Sequence, residues 1–99
     1  MMYIRNVIIP ASIEEKIWIK HHVTEKEADE FFANLPRILF HEKGMSVEGE
    51  DLYASQGQTF AGRYLTIFFI YKLSKDALLV TARDMNKSER KNYAKSKRR

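Results

Sequence analysis

The sequence has no cysteine and only four glycines and two prolines among its 99 residues. Without cysteine the chain forms neither a disulfide framework nor a thiolate metal site, which favours an intracellular protein. No apolar run approaches the roughly 20 residues that a membrane-spanning helix needs. The N-terminal stretch is also too short and too polar for a secretory signal. We therefore expect a soluble, cytoplasmic protein.

Apolar residues make up 44% of the chain, enough for the core of one small domain spanning residues 1–99. Its net charge of +4 is unevenly distributed. Residues 87–99, a basic C-terminal helix or tail, hold seven Lys and Arg against one acid, whereas residues 1–86 hold ten basic against twelve acidic residues. On charge alone, this tail is as consistent with a solvated terminus as with a nucleic-acid contact.

Three capping-box patterns predict three helices. In each, a Ser, Thr or Asn stands three residues before a Glu, so the two side chains can bind the first free backbone N–H groups. The pairs are Ser12 with Glu15, Thr24 with Glu27, and Asn86 with Glu89. The second helix carries apolar residues at i, i+3, i+4 and i+7 from Ala28 to Leu35, and Pro36 ends it.

Extended apolar runs predict five strands. A short first strand lies within residues 3–9 and stops at Pro10. The other four lie within residues 37–42, 50–57, 62–73 and 76–83. Gly44 and Gly49 bracket one loop, and residues 72–76 predict a hairpin turn. The predicted order is β-α-α-β-β-β-β-α, an α+β fold with a largely antiparallel sheet.

Five short segments occur in a fixed order along the chain. They are Lys20-His21-His22-Val23, Gly49-Glu50, Gly62-Arg63, Thr81-Ala82-Arg83 and Glu89-Arg90-Lys91-Asn92-Tyr93. Together they resemble the BrnT family of bacterial type II toxins, small ribonucleases of the RelE/ParE-like superfamily. The resemblance covers nearly the whole chain after Pro10. One departure is His22, where the family usually has glycine, which adopts positive φ at lower cost.

The resemblance implies a RelE/ParE-like fold and a toxin that cleaves mRNA with no metal and no cofactor. It also implies a ribbon-helix-helix antitoxin of the BrnA type as partner, with operator DNA bound only through that antitoxin. The alternative is a non-catalytic protein that keeps the fold for antitoxin pairing or nucleic-acid binding. A third possibility is an orphan domain that has lost its toxicity.

Metal-free RNA cleavage requires cations that stabilise the pentavalent phosphate, and arginine suits this role because its planar fork grips phosphate oxygens. Arg63 opens one predicted strand and Arg83 closes the next, so both lie at the same end of a hairpin. Direct pairing of the two would form a phosphate clamp. Pairing of Arg63 with Asp84 would instead separate them and give an ordinary ion pair. With the resemblance, we expect the clamp.

Five further residues gain a candidate role from the resemblance. Lys20 and His21 become candidates for proton transfer, although cations at a helix C-terminus are also favoured by the helix dipole alone. Arg90, Lys91 and Tyr93 become candidates for RNA binding, with Tyr93 stacking on an unpaired base. The alternative is that Tyr93 packs the last helix against the sheet. The spacing of the histidines predicts no metal site.

Overall fold

A computed structural model describes residues 2–42 and 50–97 of the chain. Its elements are β1 (Val7–Ile8), α1 (Ala11–His21), α2 (Glu25–Ala33), β2 (Arg37–Glu42), β3 (Asp51–Gln58), β4 (Tyr64–Tyr71), β5 (Ala77–Asp84) and α3 (Lys87–Lys97). This order confirms the predicted α+β arrangement. The loop predicted between Gly44 and Gly49 lies outside the described residues.

The strands form one mixed sheet in the order β1-β5-β4-β3-β2. The pairs β2–β3, β3–β4 and β4–β5 are antiparallel, as predicted, whereas β1 runs parallel to β5. Strand β1 is much shorter than residues 3–9, because only Val7 and Ile8 find ladder partners. The central position of β4 explains its apolar residues on both faces.

Helices α1 and α2 pack against one side of the sheet, which we call the core face. Ile17 of α1 and Phe31 of α2 are buried there against Leu65, Ile67 and Leu79. Burying each of these large side chains stabilises the fold by about 1.5–3 kcal/mol. The opposite side of the sheet carries α3, and we call it the α3 face.

The start of α2 follows its predicted capping box. The Thr24 hydroxyl accepts the Glu27 N–H at 3.1 Å, and the Glu27 carboxylate accepts the Thr24 N–H at 3.1 Å. The box predicted for α1 is wrong, since α1 already begins at Ala11 after Pro10, with no side-chain cap. Proline fits there because its fixed φ suits the helix entrance and its missing N–H costs nothing at that point.

The turn between α1 and α2 places His22 in the left-handed conformation, with φ 54° and ψ 38°. Histidine adopts this conformation only at a steric cost that glycine would avoid. The predicted hairpin turn between β4 and β5 is also present, with the Lys72 N–H donating to the Asp76 carbonyl at 2.9 Å. Among the described residues, no helix is long and apolar enough to cross a membrane.

Candidate functional site

Helix α3 begins at a reciprocal capping box beside the end of β5. Asn86 Oδ1 accepts the Glu89 N–H at 2.8 Å, and Glu89 Oε1 accepts the Asn86 N–H at 2.9 Å. The predicted box is therefore confirmed. Only Met85 and Asn86 separate β5 from α3, so the helix folds back and brings the Glu89 carboxylate to Arg83.

Arg83 and Glu89 form a bidentate ion pair on the α3 face. Arg83 Nη1 donates to Glu89 Oε1 at 2.7 Å, and Nη2 donates to Oε2 at 2.9 Å. Hydrogen bonding to Arg83 lowers the pKa of Glu89, and the same contact raises the pKa of Arg83. The side chains are 31% and 19% exposed, respectively. The pair is thus partly buried, and both groups stay charged near neutral pH.

The Arg83 guanidinium is only partly satisfied by these contacts. Besides Glu89, it donates from Nη1 to the Asp84 carbonyl at 3.2 Å. Within residues 2–42 and 50–97, Nε and one hydrogen of Nη2 have no acceptor. Arg83 therefore keeps donor capacity for an additional anion, and its side chain is within reach of solvent.

Two shallow clefts of about 460 and 490 Å³ flank α3. The first is lined by Gln58, Tyr64, Arg90, Lys91, Tyr93, Ala94 and Lys97. The second is lined by Arg37, Leu39, Gln56, Asn92, Lys95 and Ser96. The described lining of both clefts contains basic side chains and amides but no carboxylate, and the first cleft also has two aromatic rings. Such a surface attracts anions and offers hydrogen-bonding groups to a polar ligand.

Two aromatic residues anchor α3 in this region. The Arg90 guanidinium lies 4.1 Å from the centre of the Tyr64 ring, a cation–π contact. The Tyr93 ring meets Tyr64 edge-on at 6.1 Å and is only 5% exposed. This burial favours the alternative in which Tyr93 packs the helix against the sheet rather than stacking on a base. Arg90 and Lys91 are exposed on the cleft.

Arg63 lies on the opposite, core-face side and is fully occupied. Nε and Nη2 donate to Asp84 at 2.8 and 3.2 Å, and Nη1 donates to Glu27 at 3.0 Å. Nη1 and Nη2 also donate to the carbonyls of His22 and His21, both at 2.8 Å. These contacts use all the donor hydrogens of a guanidinium. Arg63 thus joins the end of α1, the start of α2 and the end of β5.

A turn before β4 aims Arg63 at these helices. Gly62 has φ +93°, a conformation that glycine adopts without steric cost. The Arg63 N–H donates to Thr59 Oγ1 at 3.1 Å, and the Thr59 N–H donates to the Arg63 carbonyl at 3.0 Å. The Gly62-Arg63 segment singled out in the sequence therefore has a clear structural role here.

The expected phosphate clamp of Arg63 and Arg83 is wrong. Arg83 pairs with Thr66, and Asp84 pairs with Leu65 of the core face. Because neighbouring residues of a strand point to opposite faces, Asp84 points to the core-face side and Arg83 to the α3 face. Arg63 bonds Asp84, so the two arginines are separated by the sheet, as in the alternative considered above. Hydrogen bonding to Arg63 lowers the pKa of Asp84.

The other two candidate catalytic residues also lie away from Arg83. Lys20 is exposed on α1, in a shallow depression that it shares with Glu15 and Ile19. His21 is half-buried beside Arg63, and its charge contributes to the lowered pKa of Asp84. The structure therefore brings His21 to Arg63 and leaves Arg83 with α3, and the four residues do not share one cleft.

Sequence reasoning missed the strand residues that line the clefts. Gln56 and Gln58 are two residues apart on β3, so both side chains point to the α3 face. Arg37 donates to the Gln56 side chain at 3.4 Å. The signal available in the sequence was this polar alternation within a strand otherwise expected to be half-buried. Tyr64 carried no such signal, because it begins an almost wholly apolar strand.

Within the part of the chain that the structure describes, no three His, Asp or Glu side chains are grouped so as to hold a metal ion. Searches against protein-family models and against curated proteins found no match for this chain. The resemblance noted in the sequence therefore rests on its five segments alone.

Proposed function

We propose that this protein binds RNA on the α3 face and is the toxin of a type II toxin–antitoxin pair, cleaving RNA with Arg83 at the scissile phosphate. The observation that carries the proposal is the position of Arg83, a partly exposed arginine with unused donors on the same face as two carboxylate-free, cation-lined clefts. This combination suits a polyanion better than a small neutral ligand.

The clefts offer the two kinds of contact that single-stranded RNA uses. Lys91 and Lys97 in one cleft, and Lys95 in the other, can neutralise backbone phosphates. The partly exposed amide of Gln58 can hydrogen-bond to base edges. Binding of this kind is dominated by phosphate contacts and weakens strongly as salt is added.

Arg83 has the chemistry needed at a reacting phosphate. In metal-free cleavage the RNA 2′-hydroxyl gives up its proton to water and attacks the adjacent phosphorus. The bond to the 5′-oxygen breaks, that oxygen takes a proton from water, and a 2′,3′-cyclic phosphate forms. Negative charge builds up on the phosphate oxygens on the way. A guanidinium that binds two of these oxygens stabilises that charge. Lys20 and His21 lie on other surfaces, so the proposed mechanism assigns the phosphate-stabilising role to Arg83 and gives Arg63 a structural role.

The RelE/ParE-like fold and BrnT-like identity are part of the proposal. They are supported by the order of helices and strands, by the five segments that follow one another in the expected order along the chain, and by the left-handed backbone at His22, where the family has glycine. On this proposal the partner is a ribbon-helix-helix antitoxin of the BrnA type, and operator DNA is bound only through it.

A second candidate function is RNA or antitoxin binding without catalysis. The specific observation in its favour is that the four candidate catalytic residues do not share one surface, with every donor of Arg63 committed to the protein itself. Both functions use the same α3 face, and RNA integrity distinguishes them.

The proposal is tested by inducing the protein in a host without an antitoxin. Growth and total RNA are followed for the wild type, for Arg83→Ala, and for Arg5→Ala as a control. Arg5 also forms an ion pair, with Asp76 at 3.2 Å, but at the β1 edge of the sheet. We expect growth arrest with RNA loss in the wild type and in Arg5→Ala.

Loss of the phosphate-stabilising arginine should reduce cleavage by about 10²–10³-fold while Arg83→Ala remains folded by circular dichroism. Arrest with intact RNA would favour the non-catalytic function. RNA loss that continues unchanged in folded Arg83→Ala would remove Arg83 from the mechanism. Normal growth with intact RNA would contradict toxicity altogether.

A further inference from the structure

Glu89 presents to Arg83 the same pattern of acceptors that a phosphate presents. Two carboxylate oxygens accept two parallel N–H groups at 2.7 and 2.9 Å. A phosphodiester binds the same guanidinium edge through two oxygens, so the carboxylate and a phosphate cannot both occupy it. The Nη1–Nη2 edge of Arg83 is therefore already filled in the free protein, and in the part of the chain that the structure describes only the donors on its Nε side stay open.

Glu89 does not depend on Arg83 for its position. Its Oε1 also accepts the Asn86 N–H at 2.9 Å, and its own N–H donates to the Asn86 side chain at 2.8 Å. The capping box therefore holds Glu89 when Arg83 turns away. Arg83 is the more movable member, because its side chain is more exposed than that of Glu89 and its contact with Phe68 is a long cation–π contact, 5.8 Å to the centre of the ring.

We propose that Glu89 is an internal competitor of RNA phosphate: it occupies Arg83 in the free protein, and a phosphodiester of bound RNA displaces it. This inference rests on the proposed RNA-binding function and adds a regulatory contact to it. Glu89 lowers the affinity of the free protein for RNA while it caps α3. Exchange of one anion for another leaves Arg83 paired in both states, so the guanidinium is never left without a partner.

The decisive variant is Glu89→Gln, because a glutamine oxygen still accepts the Asn86 N–H of the capping box but carries no charge. Binding of a fluorescein-labelled single-stranded RNA is measured by anisotropy for the wild type, Glu89→Gln, Arg83→Ala and the double variant. Asp29→Asn controls for the loss of one negative charge, because Asp29 is an exposed residue of α2, on the other side of the sheet.

We expect Glu89→Gln to bind RNA about 3- to 5-fold more tightly than the wild type, as the removal of a partly exposed competing ion pair predicts. Asp29→Asn should change the affinity much less. In the Arg83→Ala background the gain from Glu89→Gln should vanish. A gain that persists without Arg83 would reduce the effect to general electrostatics and overturn the proposal.

Inorganic phosphate gives a readout that does not require RNA. The Nε–H signal of Arg83, assigned by its loss in Arg83→Ala, is followed by NMR while phosphate is added. We expect a saturable shift whose midpoint is about 3- to 5-fold lower in Glu89→Gln. A phosphate response without RNA binding would support the competitor and contradict the proposed function. The same phosphate midpoint in the wild type and in Glu89→Gln would overturn the proposal that Glu89 competes with phosphate, even if the protein binds RNA.

Discussion

Replacement of Arg63 tests whether this arginine serves folding rather than catalysis. Arg63→Ala removes one guanidinium that links Asp84, Glu27 and the carbonyls of His21 and His22. Two carboxylates lose their charged partner, and the end of α1 loses its cap. Arg63→Lys keeps the positive charge, but a single ammonium cannot reach both carboxylates and both carbonyls at once.

The expected cost follows from the exposure of the site. Removing one member of a fully buried ion pair costs about 3–5 kcal/mol, whereas exposed pairs contribute about 0–1 kcal/mol. The Arg63 and Glu27 side chains are each 26% exposed, but Asp84 is 62% exposed and can be rehydrated. We therefore expect Arg63→Ala to lower the free energy of unfolding by about 2–4 kcal/mol and Arg63→Lys by about 1–2 kcal/mol.

Urea unfolding followed by circular dichroism measures these differences. Arg5→Ala is the matched control, since its side chain is 57% exposed and it loses a single ion-pair partner. We expect it to lose clearly less stability than Arg63→Ala. If Arg63→Ala unfolds at the same urea concentration as Arg5→Ala, the guanidinium does not join the helices in the way the contacts indicate, and Arg63 becomes available again for a catalytic role.

Three further predictions concern stability. His22→Gly should raise the free energy of unfolding by about 0.5–1 kcal/mol, because glycine adopts the left-handed conformation at lower cost. A lower melting temperature of this variant in thermal unfolding would show that the lost edge contact with Trp18 matters more. Gly57→Ala should lower it by about 1–3 kcal/mol, because a Cβ there would meet the buried Phe31 ring at 3.0 Å, and an unchanged urea midpoint would contradict that contact. The third prediction concerns pH. The pKa of Glu89 is lower in the folded protein than its ordinary value of 4.5, so the ionised carboxylate stabilises the fold at pH values above 4.5. This stabilisation is lost as the pH falls through the pKa that Glu89 has in the folded protein. The stability advantage of the wild type over Glu89→Gln should therefore shrink below about pH 4.5 in urea titrations, and a constant difference down to pH 3 would refute this assignment.

Local patterns predicted the parts of the fold that depend on neighbouring residues. The box of Thr24 with Glu27, the box of Asn86 with Glu89 and the strand at residues 37–42 all appear where they were expected. The same reasoning from local pattern failed at Ser12, because Pro10 already starts α1 two residues earlier. It also overextended β1, since the length of a strand depends on a distant partner, here residues 77–78 of β5.

Prediction of the candidate site depended on the register between two strands, which no local sequence pattern contains. Arg63 and Arg83 were correctly expected at the same end of the hairpin, but their faces depend on the β4–β5 register. Arg63 stands in the turn that Gly62 forms, outside the ladder, and the ladder begins with Leu65 opposite Asp84. Continued past Leu65, this register places Arg63 opposite Asn86 rather than Arg83, and such an odd shift puts the two arginines on opposite faces.

This register also makes the two arginines separable by experiment. If Arg63 acts through folding, RNA binding by Arg63→Lys should return to the wild-type level under conditions that restore its fold, such as lower temperature or added osmolyte. No such condition should restore RNA binding by Arg83→Ala, because that variant keeps its capping box and lacks only the group that we propose to meet the phosphate. An Arg63→Lys protein that is fully folded yet does not bind RNA would show that the core-face side of the sheet also belongs to the RNA site.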